Sequence, residues 1–181
     1  MTDQDLEKLR YPVGRYVKPL RLTHALIATS ISEIESFPPQ LETAVAGLTD
    51  EQLDTSYRPG GWTIRQVVHH LADSHLNGVT RIKLALTEDR PTIKPYHEGL
   101  WAELADVVSM PIEPSLRLLE GLHARWAVLL RSLSEKDLKR TFVHPERGME
   151  LQVADYIPEY AWHSHHHLGH VTNLKKMKGW K

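Results

Sequence analysis

Thr63-Ile64-Arg65-Gln66-Val67-Val68-His69-His70-Leu71-Ala72-Asp73-Ser74-His75-Leu76-Asn77-Gly78-Val79-Thr80-Arg81-Ile82 starts as a helix should and keeps helical periodicity throughout. Thr63 and Gln66 have the spacing of a capping box, in which each side chain satisfies a backbone N–H at the helix end. Behind them Val67, Val68, Leu71, Ala72, Leu76, Val79 and Ile82 mark one apolar face, which predicts a helix to about Leu86. The same segment carries His69, His70, Asp73, His75 and Asn77, more polar groups than a pure core helix tolerates.

Three further segments share that period. One covers about 23–47, with Leu26, Ile27, Ile31, Ile34, Leu41, Ala44, Val45 and Leu48; Pro38 and Pro39 mark a kink or a fresh helix start within it. Another spans about 114–133, with Pro114 suited to its first turn and Leu118, Leu119, Leu122, Trp126, Leu129, Leu130 and Leu133 as its apolar set. The last runs from about 152 to 177 and carries Val153, Tyr156, Ile157, Tyr160, Leu168, Val171 and Leu174. Residues 141–144 and 149–152 read as a short hairpin or a plain loop. Four long amphipathic helices and few strand candidates predict an all-α four-helix bundle, with a long connection at 87–112 between its second and third helices. Trp101 and Leu104 are placed in a short helical turn of that connection, and its length suits a lid over a pocket.

Composition narrows the function. Residues 1–181 fit one domain. Lys plus Arg is 22 and Asp plus Glu is 23, a balance that offers no electrostatic reason to bind nucleic acid or an anionic membrane. No apolar run is long enough to span a bilayer and Met1-Thr2-Asp3-Gln4-Asp5 is not a signal peptide, so the expected location is cytoplasmic. Cysteine is absent, so any metal must be held by His, Asp or Glu, and any thiol nucleophile must come from outside the chain. Histidine, at 12, outnumbers Trp and Tyr together (5 and 6), which directs attention to it.

Five of those histidines fall in Trp162-His163-Ser164-His165-His166-His167-Leu168-Gly169-His170. At 100° per residue His163, His167 and His170 share a narrow arc that continues the line of Tyr156 and Tyr160 into the bundle, whereas His165 and His166 point largely elsewhere. An i,i+4 pair such as His163 and His167 can bind one metal, but it also occurs as plain hydrogen-bonded helix histidines; a site needs a third ligand from another helix. His69 and His70 are the candidates, with His70 nearer the arc of Val67, Leu71 and Ser74. The metalloprotease pattern His-Glu-x-x-His is absent, because Ser164 stands at the Glu position. Three histidines leave a position open for water or a thiol, as catalytic sites do; a fourth ligand from His75, His144 or Glu159 would instead close a structural or storage site. Asp73 and His170 are candidates for a general base or for a group that holds a ligand's tautomer. Arg58 and Arg81 are candidates to bind a carboxylate on a cosubstrate; Trp62 and Trp126 read as packing residues, and Trp162 as a wall of the site or core.

Residues 57–75, from Tyr57-Arg58-Pro59-Gly60-Gly61-Trp62 through Asp73-Ser74-His75, closely resemble the DinB-like superfamily, in particular its YfiT-type branch. So do Trp162-His163-Ser164-His165-His166-His167, Tyr11-Pro12-Val13-Gly14 and Pro95-Tyr96, in the same order along nearly the whole chain. The resemblance implies a four-helix bundle, a homodimer and one divalent metal per chain, held by His70, His163 and His167; it thereby selects His70 over His69. It implies a metal-dependent hydrolase or, as in relatives of this branch, an S-transferase that joins a low-molecular-weight thiol, bacillithiol, to electrophiles. Imidazole ligands suit several metals, of which zinc and nickel are expected first. A non-enzymatic metal-binding bundle is the third reading.

Overall fold

The computed structural model describes residues 2–180. The chain runs through α1 (Asp3–Arg10), α2 (His24–Val45), α3 (Asp50–Leu53), α4 (Ile64–Thr87), α5 (Glu98–Trp101) and α6 (Ala105–Val108). It continues through α7 (Glu113–Arg131), α8 (Glu135–Leu138), β1 (Thr141–His144), β2 (Met149–Gln152) and α9 (Val153–Lys178). The long helices α2, α4, α7 and α9 form the four-helix bundle that the periodicity predicts. The capping box at Thr63 closes as read: Gln66 N–H donates to Thr63 Oγ1 at 3.1 Å and Thr63 N–H to Gln66 Oε1 at 2.9 Å. At the other end of the frame α9 stops at Gly179, whose φ of 66° favours a residue without Cβ and lets its N–H reach the carbonyl of Lys176.

The order of packing is not that of an up-and-down bundle. Both α2 and α4 lie against α7 and α9. Successive helices α2 and α4 therefore occupy one diagonal, and α7 and α9 the other. Diagonal partners need long crossings over the bundle ends, and residues 46–63 and 132–152 supply them, while 88–112 joins the neighbours α4 and α7. The 88–112 connection contains α5 and α6, the first of which includes Trp101. The 132–152 crossing contains the hairpin, with Phe142 opposite Leu151 in antiparallel register. Of the two readings of Pro38 and Pro39, the fresh helix start is not seen: α2 passes through both as one helix.

Two apolar clusters fill the bundle. One gathers Ile31, Ile34, Ile82, Trp126, Phe142 and Ile157; the other gathers Phe37, Leu41, Val68, Leu71, Leu119 and Val171. Between them runs a belt of buried imidazoles, including His75 and His123, both at 0% exposure. The N-terminal segment straps onto α9: Pro12 packs on Gly169, Trp162 Nε1–H donates to the Gly14 carbonyl at 3.1 Å, and Lys18 reaches Asp155 at 2.8 Å.

Gly78 on α4 has no room for a side chain. A Cβ there would lie 2.5 Å from the Tyr160 ring, whose hydroxyl donates to the Ser74 carbonyl at 3.0 Å. Gly78→Ala is therefore expected to destabilise the fold by about 1–3 kcal/mol despite its better helix propensity. Urea unfolding checks this; an unchanged or higher midpoint contradicts it.

Candidate metal centre

His70 on α4 and His163 and His167 on α9 each present a ring nitrogen within 4.8 Å of the others. Helix periodicity does this work: one turn separates the α9 pair, and α4 lies against that face. Ring centroids are 5.5 Å apart for His70 and His163, 4.9 Å for His70 and His167, and 4.5 Å for His163 and His167. Tetrahedral zinc places ligand nitrogens about 3.4 Å apart at normal bond lengths, so modest side-chain rotation suffices. Burial and the neighbouring imidazoles push all three pKa values down, His70 to about 3, so the rings are neutral and their lone pairs available. The donor set fits a divalent borderline ion.

His69 faces away. Its Nδ1 lies 2.7 Å from Ser115 Oγ and its Nε2 3.3 Å from the Met110 carbonyl, toward α6 and α7. His166, His167 and His170 form a second close group of nitrogens. His170 is committed elsewhere, however: Nε2–H donates to the Arg10 carbonyl at 3.1 Å, Nδ1 meets His167 Nδ1 at 3.3 Å, and the ring stacks on Tyr57 with centroids 3.9 Å apart. Both ring nitrogens have partners, so neither is free to act as a base. His166 corrects the helical-wheel reading: it is buried, lines the site cavity and stacks on Trp162 at 4.6 Å between centroids. The N-terminal strap, with Tyr11 5.9 Å from the His166 ring, covers this sector of α9.

A cavity of about 410 Å³ opens beside the three histidines. Trp62 packs on the second apolar cluster, as the sequence reading expects, and also walls the cavity, with its ring 4.6 Å from that of His70. The turn Arg58-Pro59-Gly60-Gly61 sets that position, with Gly60 at φ 63° and Tyr57 N–H donating to the Trp62 carbonyl at 3.1 Å. Tyr96 and Glu98 bring the 88–112 connection to the cavity. His144 and Glu159 line it too, while His75 bonds to His163 through Nε2 at 3.1 Å and so stands behind a ligand candidate. Glu159 is held in a two-pronged pair with Arg147 at 2.7 and 3.1 Å, which occupies its carboxylate.

Arg81 is a buried cation in the cavity wall. It is 7% exposed, lines the wall, and has no carboxylate partner among the described residues. Nη1–H donates to Tyr156 Oη at 2.8 Å; Tyr156 passes its proton toward Tyr160 at 3.3 Å, and Tyr160 donates to Ser74. Nε has no acceptor. Arg58 is not brought to the cavity; it donates to the Pro59 carbonyl within its own turn. Nor is Asp73, which lines a separate groove with His69, Asp106 and Met110.

Burial and Asp106 push the Asp73 carboxyl up to about 6 from 3.8. A raised carboxylate pKa favours the fold fully below about pH 4, and that contribution is lost as pH rises through about 6. Asp73→Asn is expected to raise the Tm at pH 7.5 and to add nothing at pH 4. Thermal melts at the two pH values check this, and an equal gain at both would contradict it.

The DinB superfamily model matches residues 33–171 of the chain. A protein of Oceanobacillus iheyensis named "Putative metal-dependent hydrolase" is 53% identical over 171 residues, covering 94% of this chain and 98% of that one. A Bacillus cereus protein of the same name is 51% identical over 175 residues, covering 97% and 100%. The solved structure of YfiT from Bacillus subtilis, described as a probable metal-dependent hydrolase with an unusual four-helix bundle topology, superposes with a TM-score of 0.94 at 45% identity. That match covers 96% of this chain and 99% of YfiT.

Proposed function

This chain belongs to the DinB superfamily, and from that premise we propose that it is a metal-dependent S-transferase joining an anionic low-molecular-weight thiol to an electrophilic small molecule. His70, His163 and His167 hold one divalent ion, zinc or nickel. Bound there, such an ion supplies Lewis acidity that lowers the pKa of a thiol or of water reaching its open position. The observation that carries the proposal is Arg81, a buried guanidinium without a carboxylate, in the same cavity as the three imidazoles. A buried charge of this kind calls for a partner, and a carboxylate on the thiol supplies one. Trp62 and Trp162 wall the cavity against apolar parts of the electrophile. With no cysteine in the chain, the sulfur comes from the cosubstrate.

Hydrolysis is the second reading, and the names of the relatives favour it. It asks for a base beside the open position; Glu159 is tied to Arg147, while Glu98, Glu146 and His144 line the same cavity. The test is metal-dependent conjugation of a chromogenic aryl halide with thiols that carry or lack a carboxylate. Conjugation faster with the anionic thiol, and slowed about tenfold or more by Arg81→Met for that thiol only, is the expected outcome. Ester turnover without any thiol, and no conjugation with one, would replace the proposal by hydrolysis.

A further inference from the structure

Chains of hydrogen-bonded imidazoles take their direction from their ends. Pro38 lies inside α2 and has no N–H, so the Ile34 carbonyl one turn earlier lacks its usual helical donor. His123 of α7 points Nδ1 at that carbonyl. A carbonyl only accepts, so the His123 proton is on Nδ1. His123 is fully buried beside Phe37 and Trp126 with no carboxylate bonded to it, surroundings that keep the ring neutral with a single N–H. Its Nε2 therefore accepts, and His75 Nδ1–H donates to it at 2.7 Å. The same argument moves one ring further: His75 Nε2 accepts, and His163 Nδ1–H donates to it at 3.1 Å. His163 is left with one bare nitrogen, Nε2.

A second, shorter chain repeats the pattern from the strap. The Arg10 carbonyl accepts from His170 Nε2–H at 3.1 Å, so His170 Nδ1 is bare and accepts from His167 Nδ1–H at 3.3 Å. His167 also keeps a bare Nε2.

We infer that His75, His123 and His170 are positioning residues: two imidazole chains, each anchored on a backbone carbonyl, fix His163 and His167 as Nδ1–H tautomers that ligate through Nε2. The inference rests on the proposed metal site. Partners of metal-binding histidines are commonly a carboxylate, a carbonyl or water; here the immediate partner is a second imidazole, and the carbonyl stands one or two rings away. His75 is thus recruited as a neutral relay, neither a fourth ligand nor a surface group. The Pro38 that reads as a helix interruption supplies the free acceptor at its end.

The test combines ¹⁵N-histidine NMR of the wild-type protein, with and without zinc, and zinc titration of two variants. Protons on Nδ1 of both His163 and His167, and zinc shifts on their Nε2, are expected. His75→Phe is expected to weaken zinc binding about 10- to 100-fold. His75→Gln, whose amide offers one acceptor toward His163 and one donor toward His123, is expected to recover most of that loss. Zinc on Nδ1 of His163, or equal affinity in wild type and His75→Phe, overturns the inference. Should His75→Phe not fold by circular dichroism, the wild-type spectra decide alone. Wild-type protein that binds no zinc would instead remove the metal site itself.

Discussion

His163→Ala is expected to empty the metal centre. Untagged wild-type protein should carry about one divalent ion per chain, and the variant essentially none, by elemental analysis. The argument is geometric: His163 is the ring 5.5 Å from His70 and 4.5 Å from His167, so its loss leaves two ligands on different helices. His70→Ala should behave alike. His69→Ala is the control, because its ring bonds to Ser115 and Met110 and should leave the ion in place. A second reading of the same experiment is stability. A ligand that binds only the folded chain adds about 2.7 kcal/mol at a hundred times its Kd, so zinc should raise the Tm of wild type and of His69→Ala but not of His163→Ala. Metal retained in both His70→Ala and His163→Ala would place the site elsewhere.

Trp126→Ala carries the largest expected loss of stability, about 3–5 kcal/mol, against a typical domain stability of about 5–15 kcal/mol. Trp126 is at 0% exposure and its ring meets His75, His123 and Tyr160 edge-on, with centroids 5.9, 5.7 and 5.1 Å away. Truncation opens a void against two imidazoles of the relay, which lose both packing and the dry surroundings that keep them neutral. Trp101→Ala, at a ring 38% exposed, should cost less than about 1 kcal/mol. Guanidinium unfolding of the pair checks the contrast, and similar midpoints would contradict it.

The helices and their polarity were open to reading because the apolar period and the Thr63–Gln66 box are local signals. The order of packing was not. Nothing within α2 or α4 states that they lie on a diagonal; that follows from the length and path of the crossings, which are tertiary facts. At the site, helical phase alone brought His163 and His167 to the interior, while family resemblance was needed to choose His70. The structure supplies the physical reason for that choice in the Ser115 and Met110 bonds of His69. His123 was overlooked because it stands alone on α7, and a solitary histidine has no spacing to mark it. His166 was misread because what covers it comes from a distant segment, the strap at Tyr11; Trp62 packs as expected, and its second place in the cavity wall is set by the turn at Gly60.

The longer imidazole chain takes one group from each of the four long helices: the Ile34 carbonyl of α2, His123 of α7, His75 of α4 and His163 of α9. Apolar faces tolerate sliding, since one Leu or Ile replaces another along a helix. A slip of one turn, about 5.4 Å, would leave apolar contacts largely satisfied but would strand three imidazoles in a dry core. The belt therefore acts as a vernier, setting the height of every helix against the other three before any metal arrives. Substituting the three rings by well-packed apolar residues should give a bundle of similar or greater stability whose helices no longer agree on a single register, visible as broadened amide resonances.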